Sequence, residues 1–531
     1  MKALNIFVLV VSCVWSVSSV GAPHDSLAVK YGNTIRSIDL SKHLHILASD
    51  SFLGRETGQP GQKLAADYIS KQFASFDIQP LKKDNILDGY YQKFLMELQS
   101  PYGATLTASG IKYEFLNDFY YFPSFDDLDL DVPDVMFLGY GIEDDKYNDY
   151  EDLDVSGKVL LAFAGEPTDK KGRSLVTGRP GPSKWSNNWR LKRNTAEEKK
   201  AAALMIISDD YESNLENWRH YAGKPRIKLV VENDTTKSTS IPMFYISSRM
   251  SLKLFGPLGK KGTESKLKRK IRKKKHSMSR QLDIAFNIKV DREIERISSE
   301  NVLGFIEGSD KKEEVLIITA HYDHLGVIEE EIFNGADDDG SGTVALIEMA
   351  EAFALAKSQG HGPRRSVLFM PLSGEEKGLL GSEYYVTNPV FPLENTIANL
   401  NIDMIGRADT QHAGDSNYVY LIGADKLSSE LHEISAKCNT DFTSLDLDYT
   451  YNDPEDPNRF YYRSDHYNFA KNNIPVIFYF TGVHADYHKS TDTVDKIDFN
   501  KMEKITKLVF FTAWTLANRE ERIIVDRIEE E

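Results

Sequence analysis

Four short, largely apolar runs stand in the C-terminal half of the chain, at residues 315–320, 367–372, 397–402 and 475–480. Strands buried on both faces of a parallel sheet read this way, because neither face meets water. The intervening segments space their apolar residues at three and four. They cover 342–357 after a glycine-rich turn, 378–386, and 500–518 with Met502, Ile505, Leu508, Val509, Thr512, Ala513 and Leu516 in register. That spacing predicts helices. Strands alternating with helices predict an α/β domain around a mixed, largely parallel central sheet. Residues 38–73 also read as helical, interrupted by a turn at 54–61.

The middle of the chain has another texture. Between 124 and 290, short apolar segments at 135–138, 159–163, 203–207 and 242–246 alternate with polar loops, including a long Gly-, Pro-, Lys- and Arg-rich one at 168–194. This block predicts a small β-rich domain with one or two helices, inserted into the α/β domain.

At the N-terminus, Met1 and Lys2 precede an apolar run at 6–14 and the small residues Ser18, Ser19, Gly21 and Ala22. A basic start, a short apolar core and a small-residue exit predict a secretory signal over 1–22, cleaved between Ser18 and Ala22. The expected location is periplasmic, extracellular or at the cell envelope. Val10-Val11-Ser12-Cys13 resembles a lipoprotein box, so lipid anchoring at Cys13 is the second reading. The run is too short to span a membrane, and no later segment reaches eighteen apolar residues, so no transmembrane segment is expected. Cys438, the other cysteine, then lacks a partner for an internal disulfide and is expected as a small buried residue.

Charge changes the picture only locally. The 531 residues carry 64 Lys+Arg against 80 Asp+Glu, a net charge of −16. An acidic balance excludes the net-basic footprint of a general nucleic-acid binder. Against it, residues 260–275 hold ten basic side chains and one acid, Glu264. That run is a candidate contact for an anionic surface, with a solvated helix or loop as the plainer reading.

The chemistry follows the apolar runs. His321, Tyr322, Asp323 and His324 come directly after the first, Glu375 and Glu376 soon after the second, Asp403 after the third, and His484, Asp486, Tyr487 and His488 after the fourth. An acidic turn, Asp337-Asp338-Asp339-Gly340, opens the helix at 342–357. Ligands bind at the carboxyl ends of strands in open α/β sheets, so these segments are expected to meet in one pocket. Histidines and carboxylates without cysteine suit a borderline divalent metal such as zinc. More than four candidate ligands suggest two ions about 3.5–4 Å apart. Adjacent glutamates can divide the labour, one holding metal while the other accepts a proton. Each motif alone is weak; their shared position at strand ends is what points to chemistry.

Ala320-His321-Tyr322-Asp323-His324-Leu325-Gly326, the turn at 334–343, Gly374-Glu375-Glu376-Lys377-Gly378, Asn401-Ile402-Asp403-Met404-Ile405-Gly406-Arg407 and Tyr487-His488-Lys489-Ser490-Thr491-Asp492-Thr493 resemble the co-catalytic di-zinc aminopeptidases, among them aminopeptidase Y and the bacterial leucyl aminopeptidases. The resemblance covers roughly 30–120 and 295–520. It implies the zinc-exopeptidase fold over 23–123 and 291–531, interrupted at 124–290 by a block similar to the protease-associated domain of secreted members. It further implies two Zn²⁺ ions held by His321, Asp338, Glu376, Asp403 and His488, with Asp338 bridging. Asp403 would serve the ion of His321, and Glu376 the ion of His488. Glu375 would be the general base, Asp323 would orient His321, and Tyr487 would hydrogen-bond the tetrahedral intermediate. The implied substrate is a peptide or protein cleaved at its N-terminus. Carboxypeptidase, dipeptidase or other amide-hydrolase activity on the same site is the alternative. A non-catalytic cell-surface binding protein is the reading from a different class. Retention of His321 argues against the single-zinc cyclase arrangement found in relatives.

Overall fold

A computed structural model describes residues 25–527, apart from 84–85, 101–103, 123–124, 126, 224, 231–239, 256–259, 261 and 292. The signal-sequence and Cys13 readings, and Lys261 of the basic run, lie outside the described residues. The chain divides into two compact units: Met1–Phe94 with Ser299–Glu531, and Leu95–Ser298. These limits differ from the expected 124 and 290. The chain crosses them inside the strands Tyr91–Ser100 and Glu293–Val302. A mid-strand crossing gives no Gly, Pro or polar punctuation to read.

In the first unit, seven strands form one sheet: β1 (Gly304–Ile306), β2 (Lys311–His321), β3 (Arg365–Leu372), β4 (Thr396–Ile402), β5 (Tyr418–Ile422), β6 (Asp446–Asp448) and β7 (Val476–Phe480). Their order is β1-β3-β2-β4-β7-β5-β6. The four central strands β3, β2, β4 and β7 are mutually parallel, while β1 and β5 join antiparallel. All four predicted runs are thus the parallel core, with carboxyl ends on one edge. On β2, Leu316, Ile318 and Ala320 face one apolar cluster, Val315 and Ile317 another. Two buried faces explain the absence of polar alternation. Helices Gly342–Ser358 and Phe499–Asn518 fill the first cluster. At the N-terminus, Ser37–Leu47 and Pro60–Ser75 are helical, with a turn of 3₁₀ helix at Asp50–Arg55 between them.

The second unit carries more helix than the pattern predicts, including Trp189–Glu198, Tyr211–Gly223 and Thr263–Lys274. Thr263–Lys274 buries only Thr263, Leu267 and Ile271 among its basic residues, too few apolar positions to mark a helix strongly. A six-stranded sheet holds the unit, with Val135–Phe137, Val159–Phe163, Ala203–Ile207 and Met243–Ile246 parallel at its centre. Among the described residues no helix is long and apolar enough to cross a membrane. Cys438 is buried beside Thr515.

Candidate metal centre

The carboxyl edge of the central sheet gathers the singled-out residues within the first unit. β2 ends on His321, β3 leads to Glu375 and Glu376, β4 to Asp403, and β7 to the loop bearing Tyr487 and His488.

Backbone donors sort the three consecutive aspartates. Asp337 accepts the Gly406 amide at 2.6 Å, and its other oxygen faces His484 Nε2 at 3.3 Å. Asp339 accepts the amides of Gly342 (2.9 Å), Met404 (3.0 Å) and His321 (3.1 Å). Asp492 in turn accepts the amides of Asp337 and Asp338 at 3.0 and 3.2 Å. With its neighbours so occupied, Asp338 alone presents its carboxylate to the site. Gly335 makes the turn affordable sterically: its φ is +51°, and a Cβ there would sit 2.2 Å from the Asp338 carbonyl.

Around Asp338 the donors fall into two groups. His321 Nε2 lies 3.3 Å from Oδ1 of Asp338, 3.6 Å from Asp403 and 3.9 Å from Glu375. His488 Nε2 lies 3.1 Å from Oδ2 of Asp338 and 3.3 Å from Glu376. His324, given no role by the sequence reading, also stands here: its Nδ1 is 2.9 Å from Glu376 and 3.8 Å from Asp338. Its sequence signal was present, three residues after His321, but a surface position was equally compatible with it.

Asp323 contacts His321 differently from expectation. Its backbone carbonyl lies 3.0 Å from His321 Nδ1, while its carboxylate is 3.8 Å away. The carboxylate instead accepts the Thr57 hydroxyl at 2.6 Å and the Glu375 amide at 3.3 Å. Asp403 accepts the Ser464 hydroxyl at 2.7 Å, and Ser464 accepts from Asn401 at 2.9 Å. Arg55, fully buried, donates to the carbonyls of Leu47, Tyr322, Asn334 and Gly335, tying the segment after β2 to the aspartate turn. Neither Thr57 nor Arg55 was legible as part of the site.

The electrostatics follow from crowding. Burial, with Glu376 and Asp403 adding to it against His321, holds the Glu375 carboxyl well above the usual range. Burial opposes charge on His488, yet Asp338 and Glu376 push it up to about 10. Burial and Asp338 oppose ionisation of Glu376, but His324 and His488 bring it down to about 2. Tyr487 stacks on the His488 ring, centroids 3.8 Å apart, and its hydroxyl is raised by burial and the carboxylates.

Several buried polar atoms here have no hydrogen-bond partner: both ring nitrogens of His324, Asp338 Oδ2 and Glu376 Oε1. Buried carboxylates and imidazoles left so suit a cation between them. The N- and O-donor set fits a divalent metal of the zinc class. Two sets of three ligand atoms lie close enough to hold an ion, His321 with Glu375 and Asp403, and His324 with Asp338 and Glu376. Outward, Met404, Phe460, Phe478, Phe480, Val483, Arg463 and Tyr487 line a recess of about 360 Å³ against the cluster.

The Peptidase family M28 model matches residues 301–513. A probable leucine aminopeptidase of Arthroderma otae is 31% identical over 214 residues, covering 39% of this chain and 55% of that protein. A probable zinc metalloprotease of Pyrenophora tritici-repentis is 27% identical over 264 residues, 42% of this chain and 52% of that protein. The chain thus spans about half the length of the curated relatives it matches. The solved aminopeptidase from Aneurinibacillus sp. strain AM-1 shares the fold, with a TM-score of 0.52, 18% identity, and 94% and 98% of the two chains covered. Residues 301–513, which hold every metal-binding candidate named above, are the part of the chain that the Peptidase family M28 model matches.

Proposed function

We propose that this chain is a zinc-dependent exopeptidase that removes N-terminal residues from peptides. The observation that supports it most is the pairing around Asp338, with His321, itself near Asp403 and Glu375, at one oxygen and His488, itself near Glu376, at the other. Two zinc ions would suit that division, held by His321, Asp338, Glu376, Asp403 and His488; the A. otae and P. tritici-repentis relatives, by their names a probable leucine aminopeptidase and a probable zinc metalloprotease, point the same way. Zinc, when bound, supplies Lewis acidity toward a water and a carbonyl oxygen.

The chain's own residues do the rest. Glu375, with its raised proton affinity, accepts the proton of the attacking water and returns it to the leaving amine. Asp323 fixes the Glu375 backbone, and Thr57 fixes Asp323. Tyr487 would donate to the oxygen that gains charge. The apolar wall of Phe460, Phe478, Phe480 and Val483 takes an apolar N-terminal side chain.

One observation favours a second reading. Arg463 lines the recess beside Tyr487, and a cation there suits the free carboxylate of a dipeptide or C-terminus. A panel of N-terminally free and N-blocked peptides, with and without chelator, separates the readings. Chelator-sensitive cleavage of free-amine peptides alone selects the aminopeptidase; cleavage that requires a free carboxyl terminus selects the second reading. Binding without turnover of any peptide returns the cell-surface binding protein.

Export through residues 1–22 belongs to the same proposal, as does the assignment of the second unit as a protease-associated insertion. In helix Thr263–Lys274 the basic residues Lys266, Arg269, Lys270, Arg272, Lys273 and Lys274 are exposed, which suits contact with an anionic surface.

A further inference from the structure

We infer that His324 is a direct metal ligand, a third imidazole beside His321 and His488, and that it makes the Glu376 side of the centre the tighter one. The inference rests on the metallopeptidase reading above and goes beyond the five-ligand set that the family resemblance implies. Sequence first: His324 lies three residues beyond the end of β2, after the turn Tyr322-Asp323, and its amide donates to the Arg55 carbonyl at 3.2 Å. Its ring is fully buried. Gly335 makes room for it, since a Cβ at that position would sit 2.5 Å from the His324 ring.

The ring is aimed at acceptors it does not hydrogen-bond. Nδ1 lies 2.9 Å from Glu376 Oε1, without the alignment of a hydrogen bond, and 3.8 Å from Asp338 Oδ2; all three atoms are buried and unpartnered. An imidazole between two such oxygens suits the coordination shell of an ion rather than a hydrogen-bond network. From the other side, His488 Nε2 approaches Asp338 Oδ2 and the second oxygen of Glu376, at 3.1 and 3.3 Å. The two rings stand edge to face, centroids 6.0 Å apart and planes at 67°. His324, Glu376 and Asp338 therefore offer ligand atoms close enough to share one ion, and His488 reaches Asp338 and Glu376 from the other side. On the opposite side the donor set is His321 with Asp403 and Glu375, which among the described residues holds one imidazole. Unequal donor sets predict stepwise loading, with the His324 side filled first.

The test uses the full chain loaded with zinc alone. X-ray absorption counts imidazoles per zinc, and competition with a chromophoric chelator gives the two affinities. Three imidazoles shared by two ions are expected in the wild type and two in His324→Ala, whose tighter equivalent weakens by at least about 10-fold while the other is unchanged. His324→Asn keeps a donor near the Nδ1 position and separates ligation from support of Glu376. Restoration of wild-type affinity by that variant, or two imidazoles already in the wild type, overturns the inference and leaves the metallopeptidase reading standing. The wild-type count needs no variant, so a misfolded alanine variant does not prevent a decision. Failure of the folded wild type to bind zinc overturns both.

Discussion

Replacing Arg55 by Met tests how the site is held before any chemistry occurs. Methionine keeps much of the apolar stem and removes the guanidinium. The wild-type side chain donates to Tyr322 O (2.8 Å), Leu47 O (2.8 Å), Asn334 O (2.7 Å) and Gly335 O (2.9 Å). Gly335 O keeps the Gly340 amide at 3.2 Å. Three buried acceptors then lose their guanidinium donor, at roughly 1–3 kcal/mol each. Part of that is offset, because burial disfavours the guanidinium charge and Asp492, Asp323, Asp338 and Asp339 only partly compensate it. A net loss of about 3–6 kcal/mol is expected, a large fraction of a typical domain's stability. Urea unfolding followed by circular dichroism, with and without zinc, measures it. Arg55→Lys, with a compact cation and fewer directed donors, is expected to fall between the two. A loss below about 1 kcal/mol in Arg55→Met would refute the claim that this residue staples the ligand loops together.

Further outcomes follow from other contacts. Asp323→Asn leaves the backbone carbonyl against His321 but weakens the hold on Glu375, so turnover should fall about 10- to 100-fold with zinc content unchanged; loss of zinc instead would make Asp323 an orienter of His321. Tyr487→Phe should lower kcat about 10-fold with little change in KM if its hydroxyl serves the transition state, and an unchanged kcat rules that out. In the second unit, burial brings Lys192 down to about 7, against partial support from Asp149, Glu166 and Asp209, so the folded state binds fewer protons than the unfolded state between pH 7 and 10.5. Stability should therefore rise with pH across that window, by up to about 5 kcal/mol, and Lys192→Met should flatten the rise; parallel pH curves for wild type and variant would contradict it.

The parallel strands were legible because burial on both faces leaves a continuous apolar run, and the acidic and histidine residues after each run inherit the geometry of a shared carboxyl edge. β5, reading Tyr-Val-Tyr-Leu-Ile, carries two tyrosines whose hydroxyls bond Asp409 and Thr481, and that polar half blurs its hydropathy. The helices of the second unit were under-read because charged residues dominate them and few positions are buried. At the site, the roles of Arg55 and Thr57 depend on partners more than 250 residues away. Arg55 also acts on backbone carbonyls, which no side-chain pattern encodes. The aspartate turn is the intermediate case: three identical residues announce a site, but only the amides of Gly342, Met404 and Gly406 decide which of them faces it.

The most direct test of the account is zinc content and peptide turnover measured on the same preparation of Glu375→Gln. Glutamine keeps the shape and removes the proton acceptor. The account predicts unchanged zinc stoichiometry with turnover of an N-terminally free peptide reduced at least about 1000-fold. Wild-type turnover in a zinc-replete Glu375→Gln protein would contradict it.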